Sequence, residues 1–298
     1  MISKTRLGLS CFDERYGGLY RKRAALCVGR KGSGKTLLGV QALLQSVKEG
    51  ERGLMLSAWR AHDLIITTNR LGLPLADAID KGQAILLECA NLISTPTAEK
   101  GWMLPPGSFL ELQEIITSNS VSRVIIDTIL PWVAIQPEKK LAQHVFSFVR
   151  AFERIGVTAL FTMPCPVSPL AFALKNRLEE QIPIVFTLDY DEATGRRTLL
   201  INKYLGDLNL PPPMNLIIAP GTGIMRAPKL VASAQPTPWP SPAPASAPAP
   251  AVTKATAQAT TPTKVPLPTP PTQQTAPSSP SESAIVPSAI RFASVFRN

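Results

Sequence analysis

The sequence predicts an α/β fold: a doubly wound, mostly parallel sheet with an antiparallel hairpin at its C-terminal edge. Three observations predict it. Short apolar runs alternate with longer stretches of helical periodicity. The runs stay apolar at consecutive positions, as strands buried on both faces do. A Gly-rich loop joins the first run to the first helical stretch.

The first strand is expected at 24–28. Leu37, Leu38, Val40, Leu44 and Val47 then place a helix over 36–48. Residues 53–57 form a second strand. A helix over 62–71 stops at Gly72 and Pro74, and a third strand follows at 84–87. Residues 90–107 are irregular, with Pro96, Pro105 and Pro106. A helix at 109–117 leads to a buried strand at 124–126. Leu141, Val145, Phe148, Val149, Phe152 and Ile155 share one helical face, and Gly156 ends that helix. A strand at 157–163 precedes a helix at 168–180 with Pro169 in its first turn. Runs at 184–188 and 198–204 form a hairpin around Thr194-Gly195, and a last strand lies at 216–218.

Proline marks the domain boundary. Of the 30 prolines, 15 fall within residues 231–298, where only Lys254, Lys264, Glu282, Arg291 and Arg297 are charged. Such a stretch buries too little apolar surface to offset its ordering entropy. Residues 1–230 are therefore expected to be the folded domain and 231–298 a disordered tail. The tail ends in Ile285, Val286, Ile290, Phe292, Val295 and Phe296. This cluster reads either as a docking peptide for a partner or as a featureless end.

The 45% hydrophobic content excludes a wholly disordered chain. The net charge of +10 favours polyanionic partners, DNA among them, without specifying one. Arg21-Lys22-Arg23, and Lys175 and Arg177, are basic enough to touch nucleic acid. Each also reads as an ordinary solvated surface. Cys11, Cys27, Cys89 and Cys165 show no metal or redox spacing, which fits a reducing cytoplasm. His62 and His144 are too isolated for a metal site. Trp102 and Trp132 mark either a partner surface or packing under loops. Lys4 and Arg6 have no apolar run behind them, so no signal peptide is expected. No run approaches the ~20 apolar residues of a membrane span.

The chemistry concentrates at Gly29-Arg30-Lys31-Gly32-Ser33-Gly34-Lys35-Thr36, which fits G-x-x-x-x-G-K-[ST] between strand and helix. Glycines let backbone N–H groups close around an anion, and the helix N-terminus adds its dipole. Lys35 reaches outer phosphates, and Thr36 offers a hydroxyl to Mg²⁺. Asp127 ends the apolar run Val124-Ile125-Ile126 and reads as the second metal-holding group. These residues point to a nucleoside triphosphate with Mg²⁺.

In order along the chain, Phe12-Asp13-Glu14, Gly17-Gly18-Leu19, the phosphate loop, Asp127-Thr128, Asn202-Lys203-Tyr204-Leu205-Gly206 and the segment 219–224 resemble the RecA-like ATPase domain of the KaiC family. The resemblance covers residues 5–225. It implies a RecA-like core, ATP at the switch point of the sheet, and a ring or filament with ATP between subunits. It also implies that Lys203 reaches a neighbour's phosphate, so Lys35, Asp127 and Lys203 are the expected catalytic cations and carboxylate.

Two departures stand out. The family carries a glutamate pair after the second strand, whereas Ser57 is followed here by Ala58, Trp59 and Arg60. Asp63 and Glu88 are either substitutes or solvated charges. The family's arginine position is Leu205. A weak ATPase acting as a nucleotide-dependent assembly switch is therefore expected. A DNA-transaction ATPase and a non-hydrolysing scaffold that recruits partners through its tail are the alternatives. Deleting 284–298 is expected to leave ATP affinity unchanged when titrated by calorimetry, because the tail lies outside the nucleotide domain.

Overall fold

Among the described residues, nine strands form one sheet in the order β11 (Gly223–Arg226), β10 (Met214–Ala219), β9 (Arg196–Tyr204), β8 (Ile184–Asp191), β3 (Ala24–Gly29), β7 (Thr158–Pro164), β6 (Arg123–Asp127), β4 (Gly53–Ser57) and β5 (Ala84–Glu88). The computed structural model describes residues 2–88, 106–133 and 140–228. The expectations for Cys89, Trp102, the tail and most of 90–107 fall outside the described residues.

From β8 across to β5 every pairing is parallel. From β8 outward to β11 every pairing is antiparallel. The doubly wound core and its antiparallel edge match the expectation from the alternating periodicity.

Strand alternation divides the core into two layers. On β3, Ala25 and Cys27 face one layer, while Ala24, Leu26 and Val28 face the other. The first layer packs α1 (Ser10–Tyr16), α2 (Lys35–Lys48), α3 (Ala61–Arg70) and α4 (Leu75–Asp80). The second packs α5 (Pro106–Ser118), α6 (Leu130–Val133), α7 (Leu141–Ile155) and α8 (Pro169–Gln181). The α7 face read from the sequence is the buried one: Leu141, Val145, Phe148, Val149 and Phe152 all lie inside. Ser168 caps α8 through the Ala171 N–H, ahead of Pro169 at the first turn. Trp132 is buried against Phe148, the packing alternative rather than a surface marker.

Several elements escaped the sequence reading. A short β1 (Lys4–Thr5) pairs with β2 (Leu19–Tyr20), and α1 lies between them. Asp13 fastens this segment by accepting bonds from the Leu7 and Gly8 N–H groups at 2.7 and 2.8 Å. Burial pushes its carboxyl above the ordinary range, against the pull of those two donors. α4 and β11 are too short for periodicity to reveal, and α5 begins earlier than expected, at Pro106.

Arg123, at the start of β6, is completely buried. Its Nη1 donates to the Arg6 and Ala42 carbonyls at 2.8 and 2.9 Å, and its Nη2 donates to Thr5 Oγ1. Glu49 and Glu51 lie 3.4 and 3.7 Å from Nη2. Burial pulls the guanidinium below its ordinary pKa, while Glu51 and Glu49 oppose the shift. One side chain thus joins the N-terminal strand, α2 and the sheet at the edge opposite the phosphate loop. Arg123→Ala leaves the two half-buried carboxylates and two carbonyls without this donor. The expected loss is about 3 kcal/mol of unfolding free energy in urea denaturation. A loss below about 1 kcal/mol would show the network to be no stronger than a surface ion pair.

Candidate functional site

The phosphate loop opens at the carboxyl end of β3, the strand the chain crosses in passing from β7 to β8. Open α/β sheets bind ligands at such a reversal of winding. β3 ends at Gly29, and α2 begins at Lys35. Gly34 is the N-cap of α2 in a left-handed conformation, φ 103°, and no side chain caps the helix. The first N–H groups of α2 are thus left for an anion.

Gly29 is required by close approach. A Cβ there would stand 2.3 Å from the Leu188 carbonyl oxygen and 2.7 Å from Ser33 Oγ. Lys35 folds its ammonium across the loop and donates to the Gly29 and Arg30 carbonyls, both at 2.8 Å. Ser33 is 1% exposed, and its Oγ has no hydrogen-bond partner. Arg30 pairs with Asp189 at 3.4 Å on an exposed face, and Lys31 is exposed beside it.

Thr36 and Asp127 lie side by side. Thr36 Oγ1 donates to Asp127 Oδ2 at 2.7 Å. Thr162, on β7, donates its hydroxyl to Asp127 Oδ1. Asp127 is 7% exposed, and Thr162 is fully buried. The loop fits a triphosphate and the carboxylate–hydroxyl pair fits Mg²⁺. The supporting features are the Cβ-free cradle, the unpartnered Ser33 hydroxyl, the uncapped helix end and an all-oxygen donor set. Sequence reasoning missed Thr162. A lone hydroxyl within the apolar run Leu160-Phe161-Thr162-Met163 was its only signal.

The positions beside Asp127 hold no carboxylate on β4. Ser57 pairs with Asp127 in the sheet, and the Ala58 N–H donates to the Asp127 carbonyl at 2.9 Å. Ala58, Trp59 and Arg60 are exposed. Glu88 ends β5 opposite Ser57, and its Oε1 accepts the Ala61 N–H at 2.6 Å at the start of α3. Asp63 is exposed in the first turn of α3.

Lys203 is not brought to this chain's own loop. It pairs with Val185 near the end of β9, two strands from β3 and toward the strand ends away from the loop. Its Nζ donates to the Glu179 carbonyl at 2.6 Å, where a cation complements the C-terminal end of α8. Leu205 beside it is 52% exposed. The basic residues of α8 are paired along the helix, Lys175 with Glu179 at 2.6 Å and Arg177 with Glu180 at 3.0 Å. Arg21 pairs with Glu51, and Arg23 pairs with Glu153 at 2.6 Å. Among the described residues there is no cluster of three or more His, Cys, Asp or Glu side chains suited to a metal ion. None of the described helices is long and apolar enough to cross a membrane.

Known proteins resemble this chain in sequence and in fold. The sequence model described as "ATPase: KaiC" matches residues 5–228. The circadian clock protein KaiC2 of Synechocystis sp. is 28% identical over 212 residues, which is 69% of this chain and 37% of that protein. This chain thus spans little more than a third of that relative. A UPF0273 protein of Aeropyrum pernix is 25% identical over 223 residues, 69% of this chain and 86% of that one. The crystal structure of a KaiC-like protein from Pyrococcus horikoshii superposes with a TM-score of 0.61 at 21% identity. It covers 76% of this chain and 100% of its own, a likeness of fold.

The crowding at Gly29 can be measured directly. Gly29→Ala is expected to lower unfolding free energy by about 1–3 kcal/mol in urea denaturation without nucleotide, because Leu188 is backbone and cannot swing aside. A change under about 0.5 kcal/mol would mean that the loop relaxes freely around the added methyl group.

Proposed function

The chain belongs to the KaiC family of ATPases, and on that premise we propose that it is a nucleotide-dependent assembly switch that binds ATP with Mg²⁺ and hydrolyses it slowly. The observation that carries the reading is the 2.7 Å bond between Thr36 and Asp127, which joins the phosphate loop to the carboxylate strand. The backbone N–H groups of residues 29–36 and the Lys35 ammonium bind the triphosphate. Thr36 and Asp127 supply the oxygens that hold the metal. Bound Mg²⁺ neutralises charge on the β- and γ-phosphate oxygens.

Slow hydrolysis follows from what stands next to Asp127. Orienting the attacking water is one of the few tasks side chains perform in phosphoryl transfer. Ala58, Trp59 and Arg60 bring no carboxylate to that edge, and Glu88 is committed to the N-terminus of α3. The cation at 205 that would stabilise transition-state charge is replaced by leucine.

Assembly rests on the placement of Lys203. Its ammonium is turned to the C-terminal end of α8, toward the strand ends away from its own loop, so the phosphate it meets in this reading belongs to another copy of the chain. Its present acceptor is the Glu179 carbonyl, a neutral group that a phosphate oxygen would outcompete.

Calorimetry with Mg²⁺ and ATP tests the binding. Lys35→Ala removes charge-assisted hydrogen bonds and is expected to weaken affinity on the order of 10- to 100-fold. Steady turnover is expected at roughly 10⁻⁴ to 10⁻³ per second, the scale of phosphate-loop hydrolysis without an arginine finger. Sedimentation of the same samples should show larger species with ATP than without. Turnover of several per second without a partner sinks the slow-switch reading. Strong stimulation by single-stranded DNA would favour the DNA-transaction alternative.

A further inference from the structure

The hairpin of β8 and β9 grips the phosphate loop from outside. Its register pairs Tyr190 with Arg197. The Arg197 guanidinium lies over the Tyr190 ring, 4.4 Å from its centroid, and Nη2 donates to the Gly32 carbonyl at 3.3 Å. The ring also walls Gly32: a Cβ there would stand 3.3 and 3.4 Å from Tyr190 Cδ1 and Cε1, on a backbone with φ 77°. Arg197 Nε is buried without a partner.

The Gly32–Ser33 peptide lies between this clamp and the inner side of the loop. In a trans peptide the carbonyl and the N–H point in opposite directions. With the Gly32 carbonyl held outward by Arg197, the Ser33 N–H points inward. It makes a long 3.3 Å bond to the Arg30 carbonyl, which Lys35 Nζ also contacts at 2.8 Å. A donor in so weak a bond is ready for a stronger acceptor.

We propose that Arg197, stacked on Tyr190, is a positioning residue that locks the Gly32–Ser33 peptide with its N–H turned toward the bound phosphate. This rests on the reading of residues 29–36 as a triphosphate site. Arg197 acts on the loop and makes no demand on the nucleoside. ATP and inorganic tripolyphosphate should therefore feel its loss equally.

The test measures binding of Mg²⁺-ATP and Mg²⁺-tripolyphosphate to the full chain, with melting of the ligand-free protein alongside. Arg197→Ala is expected to weaken both ligands by the same factor, on the order of 10-fold, with little change in melting temperature. Hydrogen exchange across residues 29–36 should quicken in that variant. Tyr190→Phe keeps the ring face and should bind as wild type does. Arg197→Lys, with charge but no planar fork, should recover part of the affinity. Full recovery by lysine would assign the effect to charge alone and overturn the positioning role. Loss of ATP but not tripolyphosphate affinity would place Arg197 on the nucleoside and overturn it too. So would a loss accounted for by unfolding in both the alanine and lysine variants. Wild-type protein that binds neither ligand sinks the triphosphate reading itself. Wild type that binds both, with Arg197→Ala unchanged, sinks this inference alone.

Discussion

The hydrogen bond from Thr36 to Asp127, closed from the other side by Thr162, governs the geometry of the site. It ties the first turn of α2 to β6 and β7 and so fixes where the helix end points. The phosphate loop is strung between that turn and Gly29, whose missing side chain lets the Leu188 backbone approach. The loop's shape is therefore imposed from both ends. Lys35 then spans the interior on two carbonyls that would otherwise repel an anion.

The proposed slow hydrolysis turns on which of these groups stand beside Asp127. Binding needs donors, a cation and a metal-holding pair, all present within two adjoining elements. Cleavage needs a carboxylate near the γ-phosphate, and the edge beside Asp127 carries Ala58, Trp59 and Arg60 instead. Glu88 looks available in the sequence, but its oxygen fills the N-terminus of α3. A charge consumed by a helix end is a poor partner for water.

Much of the fold was legible because burial leaves a periodic trace. The α7 face was readable from six residues since every buried position recurs at helical spacing. The strands of the parallel core were readable because both of their faces are inside. Length decided what was missed. β1, β2, α4, α6 and β11 are too short to show a period, and they exist because the surrounding layers hold them. Arg123 was invisible for another reason. A charged residue opening a strand reads as a solvated end, and only the convergence of Thr5, Arg6, Ala42, Glu49 and Glu51 makes its burial tolerable.

The sequence by itself determined the phosphate loop, the carboxylate at the end of its strand, and the absence of a glutamate after Ser57. These are local: eight consecutive residues build most of a cradle from backbone groups alone, so spacing is enough to reveal it. Only the tertiary structure decided that Thr162 joins Asp127, that Glu88 accepts the Ala61 N–H, and that Lys203 turns to the C-terminal end of α8. It also decided that Arg197 grips Gly32. Each depends on strand order or hairpin register, which set neighbours between residues tens to hundreds of positions apart, and no local pattern encodes such distances.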